Sequence, residues 1–375
     1  AIKECEHVFN NLNEIKNSEK VDFLNLLKND SIKKIYKNGR ISKEIKIAYI
    51  STFNSLDNLV IGNKNNYGIF AGLPWFFQFW ARDTLISLKA LSKVNNAMYK
   101  KILSFYLNNI NNDGRLPNLI GKHASLDLGN ADAHGWLFLR CKDSIENINK
   151  KKDIINSIKK SMKIIGNSKN PRVKDYLKKC SLIVHKKENE CHKELYEIES
   201  ALEKSINGLL KRHTKAGFEA NDKLETWMDT EFENDNRNGV RIEIQALRLN
   251  MYKLMFELTQ NQKYRVFENI LKMKVKDKFW NGKILADGLN DFTIRPNVFI
   301  AAYAYPDLLA NKEWETCFEN SLRSIWLDWG GLSTIDKANK LFAGTDTGEN
   351  IRSYHRGNSW FWINNLSAFV LNKIN

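Results

Sequence analysis

Leu224-Glu225-Thr226-Trp227-Met228-Asp229-Thr230 places one carboxyl directly after an indole and a thioether. A carboxyl beside apolar groups can hold its proton near neutral pH, which a general acid needs. The neighbouring acids Glu231, Glu233 and Asp235 read as solvated loop charges. Glu243 is the odd charge in the apolar helical stretch 242–247. It is either ion-paired, with Arg241 or Arg248 within reach, or presented to a pocket.

Four further constellations carry reactive or recognising groups. Residues 68–83 hold Phe70, Trp75, Phe76, Phe77, Phe79 and Trp80, too many aromatics for a surface loop, and end in the adjacent pair Arg82-Asp83. Asp83 can cap a helix start; alternatively the rings stack on apolar sugar faces while Arg82 and Asp83 grip hydroxyls in pairs. Asp113-Gly114 reads as a turn, Asp132 as a possible cap, and His134 as a hydrogen-bonded histidine. Arg295-Pro296-Asn297 reads as a helix start with Pro in its first turn. Finally, 344–349 and 353–362 bring Glu349, His355, Arg356, Ser359 and Trp360 to the opening of the last helix.

These groups need elements to hold them. With 5 Pro in 375 residues and apolar residues at three- and four-residue spacing throughout, the chain reads as mostly helical. Helices are expected over roughly 42–60, 82–94, 97–110, 129–142, 150–165, 172–212, 241–259, 262–275, 296–310, 312–326 and 358–373, with a break in 172–212 near 180–190. The best strand candidate is 282–287. The long connections carry the aromatic, Gly and charged residues, as in stacked helical hairpins whose loops ring a pocket at one end. No linker composition marks a boundary, so one domain over 41–375 follows a helical extension over 1–40.

Composition narrows the function. The chain has 43% hydrophobic residues, with 20 Phe, 12 Tyr and 10 Trp, which excludes disorder. No apolar run suggests a membrane span. Five scattered cysteines (Cys5, Cys141, Cys180, Cys191, Cys317) suit a reducing, cytoplasmic setting. Cys180, His185, Cys191 and His192 match no zinc spacing, so no metal is expected. The net charge of +15 invites nucleic acid. Its densest stretch, Lys150 to Lys169, interleaves with Ile154, Ile155, Ile158 and Ile164 as a wet helix face, without a nucleic-acid motif. Phosphate loops, nucleophile elbows and zincin motifs are absent. Carboxyls, Trp and Arg on long loops suit glycan chemistry.

The motifs resemble a known family, the glucosidase region of glycogen debranching enzymes. The resemblance rests on Gly-Leu-Pro-Trp-Phe through Trp-Ala-Arg-Asp-Thr (72–84), Gly-Arg-Leu-Pro-Asn (114–118) and Ala-Asp-Ala-x-x-Trp-Leu-Phe (131–138). It continues with Thr-Trp-Met-Asp (226–229), Ile-Glu-Ile-Gln-Ala-Leu (242–247), Arg-Pro-Asn (295–297) and Tyr-His-Arg-Gly-x-x-Trp (354–360), all in the family's order. It implies an all-α (α/α)6 barrel, a six-hairpin toroid with long loops at one end, and inverting hydrolysis of an α-glucosidic bond, typically the α-1,6 branch stub. Asp229 matches the family's general acid. Arg82 and Asp83 match the pair holding the non-reducing-end glucose in related glucoamylases. Asp132, Trp227, Glu243, Arg295 and His355 match positions expected to line the pocket, and Trp75, Trp80, Arg356 and Trp360 are expected beside them. No cofactor is implied.

Two departures qualify this expectation. The base of the eukaryotic enzymes is the Glu of His-x-Gly-x-Glu-Trp, and here Ser359 occupies that place. Glu349, on the loop into the last helix, is the substitute, to face Asp229 across roughly 6.5–9.5 Å; Glu225 and Glu243 are in reserve. The length also leaves no room for a transferase domain, so the chain is expected to trim single glucosyl units from an α-glucan. Hydrolysis of another glycoside, including an anionic one favoured by nearby Arg and Lys, and sugar binding without catalysis remain alternatives.

Overall fold

The computed structural model describes residues 43–62, 67–119, 129–166, 170–344 and 350–374. The extension expected over 1–40 lies outside them. The chain divides into two compact units between Ile102 and Leu103.

In the first unit, α1 (Lys43–Leu59) leads into the hairpin of β1 (Val60–Gly62) and β2 (Tyr67–Ile69), antiparallel with Val60 opposite Ile69. Helix α2 (Ala81–Val94) is pinned to β2 by Thr84, whose hydroxyl donates to the Ile69 carbonyl at 3.0 Å and accepts from the Ile69 N–H at 3.3 Å. Leu85, Leu88 and Leu91 form its buried stripe. The aromatic-rich segment supplies core here: Phe70 stacks on Phe79 at 5.2 Å and meets Phe77 edge-on at 6.1 Å. Helix α3 (Asn96–Leu107) continues into the second unit.

The second unit is a set of helical hairpins around α6 (Ile242–Thr259). This helix packs on α4 (Ala133–Ile165), α5 (Pro171–Arg212), α7 (Gln262–Phe279) and α8 (Asn297–Ala304). Surrounded on every side, α6 buries a continuous run over its first turns, Glu243, Gln245 and Arg248 included. Those turns show no apolar stripe, because none of their faces meets water. A tight turn at Gln260, in the left-handed region at φ 56°, and an Asn261 side chain accepting from the Lys263 N–H return the chain into α7. Helix α9 (Asn311–Ile325) presents Trp314, Cys317, Phe318, Ser321 and Ile325 from one face. It is followed by α10 (Ile351–Tyr354) and α11 (Phe361–Ile374), and α11 packs on α8. Between α5 and α6 lies a two-rung hairpin, β3 (Thr214–Lys215) with β4 (Phe218–Glu219).

Several boundaries differ from expectation. The helices expected over 129–142 and 150–165 are one, and α5 runs unbroken through 180–190. Neither contains Pro past its first turn, and the two cover each other: Ser144 donates to Glu194, Lys159 to Glu188, while Ile148, Ile155, Val184, Cys191 and Ile198 are buried. Residues 282–287 are not a strand; a single bridge joins Trp280 and Leu285. The helix expected to reach 310 stops at Ala304 because Pro306, which has no N–H, opens a separate 3-10 turn. The loops 213–241 and 280–296 and the described parts of the connection from α9 to α11, 326–344 and 350–360, meet at the end of the unit where α4, α6, α8 and α11 begin.

Candidate active site

Residues 226–229 descend into that loop end. Trp227 and Met228 are buried, while the Asp229 side chain stays 35% exposed. The Trp227 Nε1–H donates to Asn297 Oδ1 at 2.6 Å, fixing the indole against the start of α8. Its ring meets Trp362 edge-on at 4.9 Å, His355 at 5.3 Å and Trp360 at 6.3 Å. His355 stacks on Trp360 at 5.4 Å with 19° between planes, and Trp360 donates to the Tyr354 carbonyl at 3.0 Å.

Inside this box, His355 Nε2 lies 3.3 Å from Asp229 Oδ1. Burial pushes the imidazole below the usual histidine range, and the Asp229 carboxylate only partly offsets this. His355 Nδ1 is buried with no hydrogen-bond partner among the described residues. A neutral ring with its proton on Nε2 satisfies both facts, since an unmet lone pair is less costly than an unmet N–H. His355 therefore donates to Asp229.

Around the box, arginines and carboxyls neutralise one another. Glu243 is ion-paired, as one expectation held, but to Arg237 and to neither Arg241 nor Arg248: the guanidinium grips it in two bonds of 2.7 and 3.1 Å. Arg237 reaches Glu243 from the preceding loop in the left-handed region, at φ 51°, with its carbonyl held by Asn221 at 2.8 Å. The same Arg237 donates to Thr226 Oγ1 and to Asp287, and Asp287 also accepts from Arg241 and from Asn297 Nδ2. Burial alone would raise the Asp287 carboxyl; Arg237, Arg241, Arg295 and Asn297 overcome it and hold it low. For Glu243 burial wins over Arg237, and its carboxyl is raised.

Arg295 and Arg356, expected as substrate contacts, are buried ties. Arg295 donates to the carbonyls of Thr334 and His355 and to Asp235 at 2.8 Å. Arg356 donates to Asp235 Oδ2 at 2.7 Å and to the Thr230 carbonyl at 2.9 Å. Asp235, read as solvated, is the anion both share. Glu225 accepts from Arg115 and from the Asp222 N–H. Asp132 is buried but does not cap α4, because Asn130 Oδ1 accepts from the Asp132 and Ala133 N–H groups instead. Beneath lies a second buried cluster in which Glu219 is held by His134 at 3.2 Å and by Arg248 at 3.0 Å. Burial opposes its charge, yet His134, Arg248 and Arg115 pull the carboxyl down to about 2.

Sequence reasoning missed Arg237 and Asp287, and placed Asn297 in the Arg-Pro-Asn motif without a role. Asp287 had a signal, a charge directly after the apolar pair Leu285-Ala286; Arg237, in a polar loop, had none. In the first unit, Trp75 is 75% exposed, Trp80 is half-buried, Arg82 is buried, and Asp83 lies in the first turn of α2, which has no side-chain cap. Glu349 lies outside the described residues, so its distance to Asp229 is not defined. Ser359, at the place of the family's base, accepts from Asn364 Nδ2 at 3.0 Å.

A family model described as amylo-alpha-1,6-glucosidase matches residues 43–374. The chain belongs to the amylo-alpha-1,6-glucosidase family. Among solved structures it is similar to the GH63 mannosylglycerate hydrolase from Thermus thermophilus in complex with Tris, with a TM-score of 0.55, 10% identity and 87% of each chain covered. This likeness gives the fold of the amylo-alpha-1,6-glucosidase chain, an (α/α)6 barrel of the six-hairpin glycosidases. An unsaturated glucuronyl hydrolase specific for heparin aligns at a TM-score of 0.40, 10% identity, and 78% and 73% coverage. No curated protein matches. As an amylo-alpha-1,6-glucosidase family member with this fold, the chain is a glycosidase of the six-hairpin kind, with a carbohydrate as its substrate class. Among the described residues, no helix is long and apolar enough to cross a membrane.

Proposed function

We propose that the protein is an inverting hydrolase releasing glucose from α-glucosidic linkages, first among them the α-1,6 branch stub of glycogen-like glucans, in the cytoplasm. Asp229 is its general acid. The observation that supports this is a partly open carboxyl meeting a buried, neutral imidazole inside a box of indoles. With one oxygen accepting from His355, the other carries the proton to the leaving glycosidic oxygen, and afterwards the same N–H steadies the carboxylate. Water attacks the anomeric carbon from the opposite face as the C–O bond breaks, its proton passes to the base, and the sugar departs with inverted configuration as β-glucose. Glu349 is the proposed base, on its place before the last helix. For Arg82 and Asp83 the proposal stands on the motif: paired, charge-assisted bonds to sugar hydroxyls. Trp75, Trp80 and Asp132 are proposed to line the sugar site on the same ground. The scheme uses two carboxyls and water.

A second reading is supported by Ser359, whose pairing with Asn364 puts no base at the family's usual place: the chain binds glycans without cleaving them. A third, supported by the fold it shares with a mannosylglycerate hydrolase, is cleavage of another small glycoside. Arg295 and Arg356 are buried and held by the shared Asp235, so neither is offered to an anionic sugar.

The test is glucose release from glycogen, branched limit dextrin, isomaltose and maltose, with the product anomer read by NMR. Asp229→Asn should lower kcat by about 10³-fold with KM little changed, because it removes only the transferable proton. Release by the intact protein that survives this substitution would remove Asp229 from the chemistry.

A further inference from the structure

Large exposed apolar side chains fall into chemically different groups. On the long α4–α5 hairpin they are mostly aliphatic and lie among lysines: Ile154, Ile164, Leu182 and Ile183. At the loop end of the second unit, beside the aliphatic Leu224, Leu289 and Ile351, several are aromatic, among them Trp326, 47% exposed, Trp329, 69% exposed, and Phe361, 85% exposed.

The two tryptophans stand on a short, tightly braced turn after α9. Trp326 pairs with Leu332 across it, the Leu327 N–H donates to the Gly331 carbonyl at 2.8 Å, and the Gly330 N–H donates to the Leu327 carbonyl at 2.8 Å. Below, the Ser333 N–H donates to the Ile325 carbonyl at 2.8 Å and the Leu332 N–H to Asn364 Oδ1 at 3.1 Å. Two glycines shape the turn. Gly330 sits at φ +96°, a conformation side chains rarely adopt. A Cβ on Gly331 would collide with Trp329 Cη2, so this glycine makes room for that ring. The Trp329 indole is thus laid against bare backbone, and both rings are presented by a turn with little freedom left to lose on binding.

The turn is continuous with the box around Asp229. The same point beside Gly331 is 2.6 Å from Ser359 Oγ. Ser359 precedes Trp360, Trp360 stacks on His355, and His355 holds Asp229. Two residues past Leu332, the Thr334 carbonyl accepts from Arg295 and its hydroxyl from the Gly357 N–H. Exposed indoles in line with a sugar site offer flat apolar planes of the size of a pyranose face, with an N–H edge for a hydroxyl.

We propose that Trp326 and Trp329 form an outer binding platform for the continuing chain of an α-glucan whose end occupies the Asp229 site. The proposal rests on the glycosidase reading for the identity of its ligand, and the platform selects polymeric over small substrates. Bare pyranose stacking needs no counter-charge, in keeping with an uncharged glucan. Asp328, between the two tryptophans in sequence and exposed, adds an acceptor for hydroxyls.

The test is affinity electrophoresis of the full chain through gels containing glycogen or amylopectin. It compares the intact protein, Asp229→Asn, Trp326→Ala/Trp329→Ala and Trp326→Phe/Trp329→Phe, each checked for unchanged circular dichroism and Tm. The intact protein and Asp229→Asn should be retarded alike. The Ala pair should bind at least about tenfold more weakly, the loss expected from uncovering two aromatic faces, and the Phe pair, which keeps a plane, should recover most of it. Equal retardation of the Ala pair and the intact protein overturns the platform, as does an intact protein that neither polysaccharide retards. Glucose release from isomaltose, run alongside, reads the hydrolase proposal separately. Its absence beside Trp-dependent retardation leaves the platform standing and removes the hydrolase. An isomaltose kcat/KM that falls with the Ala pair as far as polymer binding does would also overturn the platform, by placing these rings at the cleavage point.

Discussion

His355 gives the residue scale its sharpest test. The Nε2–H of His355 fixes one oxygen of the Asp229 carboxyl, so removing the donor should leave the proposed acid poorly aimed at the leaving oxygen. In His355→Ala kcat is expected to fall by about 10- to 100-fold with KM little changed; His355→Gln, which keeps an N–H, should recover part of it. Steady-state kinetics of each variant check this, and an unchanged kcat in His355→Ala would assign His355 to packing alone. Among the arginines, side-chain type was legible and role was not. Arg295 and Arg356 stand in motifs that pointed to substrate, and the structure shows them bonded to Asp235 and to loop carbonyls. A sequence lists charges but not their partners, and Asp235 lies in the connecting loop, 60 residues from Arg295 and 121 from Arg356.

At the element scale, α6 is held to its loops by two buried charge clusters, one on each side of its first turns. Arg237→Ala would strand the Glu243 carboxyl in the interior and take from Asp287 one of its partners, costing about 3–5 kcal/mol. That corresponds to a Tm lower by roughly 4–6 °C in scanning calorimetry. A fall of only 1–2 °C would mean that water reaches the cluster. Glu219 carries the pH dependence. Its carboxyl is ionised down to about pH 2 in the folded state, against an ordinary value of 4.5. Its contribution is complete above about 4.5 and is lost as pH falls from there to about 2, where the unfolded chain has already taken up the proton. Glu219→Gln should therefore have a lower Tm at pH 7, from an unmatched Arg248, and a shallower Tm decline across that acid window. Helix existence was legible from the three- and four-residue spacing, and most ends fell within a few residues. The expected break in α5 was not there, since its exposed lysines and buried Val184, Cys191 and Ile198 are sorted by a partner helix that local spacing does not reveal.

At the scale of the molecule, α4 and α5 start and finish at the loop end but outrun the rest of the second unit. With 33 residues α4 is about 50 Å long, against about 27 Å for the 18-residue α6 it packs on. The lysine-rich far ends of the two helices, α4 from Lys150 and α5 up to Lys193, therefore project from the end opposite Asp229. Shortening this arm, by joining residue 152 to residue 187 through a glycine-rich turn, should leave isomaltose kcat/KM within about twofold. A larger loss would show that the arm supports the loop end from afar. The sequence by itself determined the helical class, the series of motifs and, through Trp227-Met228-Asp229, which carboxyl to watch, because apolar spacing and adjacent residue types are local properties. Only the tertiary structure decided who neutralises whom. Ion pairs such as Arg237 with Asp287, or a hydrogen bond between Asp229 and His355, 126 residues apart, exist because separate loops converge at one end of a set of hairpins. Nothing in the local spacing of the chain records that convergence.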